Sequence, residues 1–287
     1  SNPEAQNWFD RGLAWVYGFN HEEGATCFHR AVEIDPNCAM AHWGIALASG
    51  PFYNLPWEWL SENEAETMLL TCHNAVQQAL ERSDDVAPAE KALIHALSQR
   101  YPADQVISIE ECQQWDNAYA DAMRTVHADF PDDFDVIALF AEAMMTRTPW
   151  KLWDIHRGEP SAGADTLETL ALLDTGLDLM QERGEAPHPG ILHMYIHALE
   201  MSPTPERALK AANQLFELCP DVGHLQHMPA HIYVICGQYE DAIRVSRKAI
   251  TADDQYVDFA GRYNFYTTSR CHDLHMMMYA SMFAGQF

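Results

Sequence analysis

Apolar and small residues recur at helical spacing from near the start of the chain: Trp8, Gly12 and Trp15, then, past a break at Asn20-His21, Gly24, Phe28 and Ala31 before Pro36. Residues on an α-helix advance by about 100° each, so this spacing predicts two helices joined by a tight turn. The pattern resumes at Ala39 with MAHWGIALA, stops at Ser49-Gly50-Pro51, passes through an aromatic run PFYNLPWEW, and returns as a helix over about 61–82. Helical segments at 88–100 and 110–129 follow, parted by Tyr101-Pro102. A helix after Pro131 carries Ala141, Glu142 and Met144 and runs into a second insertion, RTPWKLWDIHRGEPSAG at 147–163, ahead of a helix over about 165–183. From Pro189 the spacing is regular through Pro220, and from Gly223 through about Asp254, with GQYEDAI as a hairpin turn. A last helix is predicted over about 269–284, with Gly285-Gln286-Phe287 as its turn.

Within this pattern two blocks repeat. HPGILHMYIHALE is followed by GHLQHMPAHIY, and a shift of 34 residues carries His193 onto His227, His197 onto His231 and Ala208 onto Ala242. That period, the spacing from Trp8 to Pro36 and the step from Gly24 to Phe28 resemble the tetratricopeptide repeat superfamily, whose unit is a helical hairpin. Arg11 stands where that repeat usually has leucine, and Gly24 where it has alanine; neither blocks a helix. The two histidine blocks and the opening GFNHEEGATCFHRAVEIDPNCAMAHWGIALA are also similar to a subgroup of bacterial repeat proteins. The resemblance implies an all-α fold, a tetratricopeptide-like α-solenoid of antiparallel hairpins with two aromatic-rich insertions. As one domain over 1–287 it divides into repeats at 1–38, 39–83 (insertion 49–60), 134–184 (insertion 147–163), 189–222 and 223–256. Irregular helices fill 88–133, and an incomplete repeat occupies 257–287.

Composition narrows the function. A chain of 287 residues, 48% hydrophobic, can bury a substantial core. Seventeen Lys and Arg against 42 Asp and Glu give a formal charge of -25, which repels phosphate backbones and anionic lipid. Nucleic acid and membrane are therefore not expected as partners. Seven cysteines, at 27, 38, 72, 112, 219, 236 and 271, form no CxxC pair and fit reduced thiols in a cytoplasmic protein.

The repeated histidines carry the candidate chemistry. Relative to His227, His224 and His231 lie at about 60° and 40° on a helical wheel, apart from the packing residues Ala230 and Tyr233. His193, His197 and Glu200 likewise share a stripe beside Leu192, Ile196 and Leu199. In tetratricopeptide proteins such positions of the first helix line the concave groove. The count then brings Glu142 to the position of His197 and His231, and His275 to that of His193 and His227.

Imidazoles on neighbouring helices suit a transition metal, iron, copper or zinc, with enough ligands for two ions. His193, His197, His227, His231 and His275 are the expected metal ligands, with His224 and His272 as further ligands or as side chains that orient them. Glu142 or Glu200 is the expected ligand or general base. Arg147, Trp150 and Trp153 in the second insertion are expected to line a substrate pocket. His21, His29, His42, His73, His95, His127 and His156 are expected to be ordinary structural histidines. This predicts a metal-dependent oxidase, oxygenase or hydrolase acting on a small molecule. The alternative is a non-catalytic scaffold that binds a peptide or protein partner in its groove.

Overall fold

The computed structural model describes residues 2–105 and 108–286, and it is helical throughout apart from a two-stranded hairpin and one isolated bridge among the described residues. The chain forms two compact units.

Unit 1 takes in the chain up to Val16, Asn20–Lys151 and Gly163–Asp165. Its helices are α1 (Pro3–Tyr17), α2 (His21–Ile34), α3 (Ala39–Ser49), α4 (Glu62–Glu81), α5 (Pro88–Ser98), α6 (Ile109–Asp129) and α7 (Phe134–Thr146). From α2 to α7, each helix packs on the next. Starts are fixed by side-chain caps: Asn20 accepts the Glu23 N–H, Ser61 and Glu64 form a capping box, and Ser108 and Asp133 accept from Glu111 and Val136. α3 and α7 carry apolar residues on almost every face and are buried accordingly. Phe28 fills the space beside Gly44, where a Cβ would come within 2.5 Å of its ring.

The first insertion closes over unit 1 as a plug. Phe52, Tyr53 and Trp57 are buried, a 3-10 turn spans Trp57–Trp59, and Trp59 alone of these turns outward, at 61% exposure. Beneath lies a buried ion pair, Arg100 Nε to Asp116 Oδ1 at 2.7 Å.

Unit 2 comprises Tyr17–Phe19, Leu152–Ala162 and the chain from Thr166 onward. It opens with the antiparallel strands β1 (Trp153–Asp154) and β2 (Glu159–Pro160), inside an insertion where the sequence pattern predicted only loop. Then come α8 (Thr166–Arg183), α9 (Pro189–Leu199), α10 (Leu209–Leu215), α11 (Gly223–His227), α12 (Pro229–Ile235), α13 (Tyr239–Ala260) and α14 (Thr267–Phe283). Pro189 occupies the first turn of α9, where its missing N–H costs nothing. Pro229 instead falls inside what the repeat pattern treats as one helix, and the absent donor divides it into α11 and α12.

Gly237, with φ 75°, makes the turn that GQYEDAI predicts. α13 then runs on past 256, where the repeat count ends a unit, and packs along α11, α12 and α14. Gly285, with φ 69°, ends α14; Phe287 of the predicted turn lies outside the described residues. No described helix is long and apolar enough to cross a membrane.

Candidate metal centre

α9 opens the site. Its N-cap is His188, whose Nδ1 accepts the Ile191 N–H, so that histidine serves the backbone. One and two turns further on, His193 and His197 are buried at 0% and 1% exposure. α11 brings His224 and His227, α12 brings His231, and α14 brings His272. The six form two triads, His193–His197–His224 and His227–His231–His272, and within each triad one ligand atom per residue lies within 4.8 Å of the others. Rings of the two triads approach to 6.2 Å between His197 and His231 and 6.1 Å between His224 and His227.

The tautomers follow from the partners. His193 Nδ1 lies 2.6 Å from the Tyr17 carbonyl oxygen, which can only accept, so Nδ1 carries the proton and Nε2 keeps its lone pair. Glu200, one turn beyond His197, receives Nδ1 of His197 at 2.7 Å on Oε1 and Nδ1 of His231 at 2.5 Å on Oε2. A single carboxylate thus orients one histidine of each triad. Burial pushes the Glu200 pKa up, but the charges and hydrogen bonds of His231 and His197 outweigh it and hold the group below the usual carboxylate range. In the second triad His231 Nε2 meets His227 Nε2 at 2.9 Å and His272 Nε2 at 3.1 Å. Three nitrogens converging on one point suit a shared ion.

The donors are neutral and, in part, unsatisfied. Burial first, then the neighbouring histidines, push His193, His224 and His227 well below the ordinary histidine pKa of 6.5. His272 is lowered to about 4, again mainly by burial. His193 Nε2 and both ring nitrogens of His224 are buried without a hydrogen-bond partner. Each such atom costs about 1–3 kcal/mol unless something fills the gap, and metal coordination would satisfy one nitrogen of each ring.

Supports close around the donors. Phe19 lies over the first triad, with ring centroids 4.4 Å from His193 and 5.5 Å from both His197 and His224. Behind the second triad, Asp273 Oδ1 stands 3.3 Å from His227 Nδ1. Burial raises the pKa of Asp273 and brings its partner Asp253 to about 6, so the two buried carboxyls hold a proton between them. Tyr266 donates to Asp253 at 3.1 Å and accepts the His224 N–H at 2.9 Å. Gly223 permits this approach, because a Cβ there would stand 1.9 Å from Asp253 Oδ1.

His224 and His272, expected as ligands or as orienting groups, belong to the triads. His275 belongs to neither and is exposed on α14. Glu200 joins the triads through hydrogen bonds. Glu142 makes its hydrogen bonds within unit 1, accepting from the Tyr53 N–H at 3.2 Å and the Thr146 hydroxyl at 2.7 Å. Arg147 is engaged by Asn117 and Asp165, and Trp150 stacks on Tyr53, all in unit 1. Trp153 lies in unit 2, where Nε1 donates to the Ala198 carbonyl at 2.7 Å and fastens the insertion to the helix bearing His193 and His197.

Asp253, Asp273, Tyr266 and Phe19 were not singled out from the sequence. Asp273, next to His272, is the one whose position offered a signal. Among the other histidines, His21 stacks on Phe52, His42 contacts the Pro36 carbonyl and His73 the Tyr101 carbonyl. A cavity of about 470 Å³ elsewhere in unit 2 is lined by Asp174, Tyr195, Arg207 and Lys210 among others, and by none of the triad histidines. No protein-family model and no curated protein matches the chain.

Proposed function

We propose that the protein is a metal-dependent oxidoreductase acting on a small molecule, with two transition-metal ions held by His193, His197 and His224 on one side and His227, His231 and His272 on the other. The supporting observation is the pairing of two all-histidine triads whose buried donors lack other partners. The donor set favours copper: non-haem iron oxygenase sites characteristically combine two histidines with a carboxylate, whereas here the nearby carboxylates bind histidine Nδ1 atoms. A pair of copper ions, when bound, would supply two-electron exchange with dioxygen. The protein's own part is to fix the imidazole tautomers through Tyr17, Glu200 and Asp273, to keep the donors neutral by burial, and to exclude water from the first triad with Phe19. The 34-residue recurrence supports a tetratricopeptide-like solenoid as the scaffold, since a repeated first helix presents the same histidine stripe twice.

The test is metal analysis of protein purified without a polyhistidine tag. The expected content is about two ions of copper per chain, reduced to about one by H227A/H231A. Metal-free protein whose folding is unchanged by that double substitution would overturn the proposal, and stoichiometric zinc would redirect it to hydrolysis.

A further inference from the structure

α14 brings His272 to the second triad and carries on its outer face a different set of donors. Taking Cys271 as zero, His275, Met278 and Met282 fall at about 40°, -20° and 20° on the helix, a stripe about 60° wide. All four are exposed, Met278 at 56% and Met282 at 63%, and Cys271 is the only exposed cysteine among the described residues. Long thioether side chains so open to water bury little apolar area, so packing within the chain does not account for them. The chemistry is that of a soft-metal ligand set: one thiol, one imidazole and two thioethers at i, i+4, i+7 and i+11. The stripe also reaches the centre, because His275 is close enough to His272 for its charge to act on that ring. His272 is the half-buried member of its triad.

We propose that Cys271, His275, Met278 and Met282 form an uptake site for monovalent copper, which passes along α14 through His275 to His272 and so into the second triad. The inference rests on the two-copper reading above. The ion remains copper(I) throughout: a sulfur–copper bond breaks as a nitrogen–copper bond forms, and the Cys271 thiolate takes up a proton. No oxidant or reductant is needed.

The experiment mixes metal-free protein anaerobically with limiting copper(I) and a weak copper(I) chelator, and follows loading of the wild type, C271S/M278L/M282L and H227A/H231A. The triple variant alters only exposed side chains, and circular dichroism checks its folding. It should load slower by about tenfold, equivalent to about 1.4 kcal/mol, yet reach the same final copper content. H227A/H231A should retain one copper(I) that protects Cys271 from alkylation and shows sulfur donors by X-ray absorption. Equal loading rates in the wild type and triple variant would overturn the uptake site while leaving the centre intact. Sulfur-bound copper at Cys271 with none on the histidines of the wild type would overturn the two-copper centre and leave the surface site standing.

Discussion

The two triads have the same chemistry and unlike surroundings. His193, His197 and His224 are sealed, under the Phe19 ring and the Tyr17 carbonyl. His227 is as deeply buried, but His231 retains 8% exposure and His272 is half-buried. The anchors differ too: the first triad has a peptide carbonyl at His193, whereas the second has Asp273 at His227, with Glu200 serving one histidine in each. A closed site holds its ion and its tautomers rigidly, while an open one exchanges metal and admits substrate. Identical ligand sets thus divide into a retaining side and a reacting side.

The largest expected effect breaks the open triad. His231→Ala removes a ligand and leaves the Glu200 Oε2 contact vacant, so the second ion should be lost, with metal content falling from about two to about one per chain and oxidase activity abolished. Elemental analysis with turnover measurements checks this; full metal retention would refute the assignment of His231. Next comes Glu200→Gln, which retains the shape but leaves one oxygen and an amide nitrogen facing two Nδ1–H donors. Metal affinity should fall by about 10–100-fold at both triads. An effect confined to one triad, read by competition titration, would show that Glu200 does not couple them.

Much of this division was visible in the chain itself. The period that maps His193 onto His227 and His197 onto His231 is carried by local helical spacing, and the structure seats all four in the triads. Glu200 was also readable, as a residue one turn past His197. What escaped was anything set by distant packing. Phe19 and Tyr17 belong to the sequence's opening hairpin, and their contact with His193, more than 170 residues away, has no local signature. Asp253 and Tyr266 meet His224 only because Gly223 has no Cβ. On α14 the repeat count favoured His275, yet His272 reaches His231. That helix follows α13, which overruns its expected end, so a fixed 34-residue count no longer gives its rotation.

A smaller effect should come from the seal. Phe19→Leu removes ring contacts with three histidines, each aromatic pair worth about 0.5–1.5 kcal/mol, without touching a ligand. Under a strong chelator the wild type should lose metal in two phases, the faster from His227, His231 and His272. F19L should accelerate the slow phase several-fold and leave the fast phase unchanged. A single phase in the wild type would remove the distinction between closed and open sides.

The smallest effect belongs to His275→Ala. His275 lies on the same helix as His272, three residues on, but the two point to different places: one meets His231 at 3.1 Å and the other is exposed. If the triads are complete with six histidines, H275A should retain about two ions per chain and the wild-type chelation phases, because no coordinating nitrogen is lost. Its effect should appear only in the rate of copper(I) loading, through the surface stripe. A drop in metal content at equilibrium, measured beside H272A in the same preparation, would mean that α14 is rotated so that His275 takes the place of His272. The second triad would then be built by the residue that the repeat spacing selects.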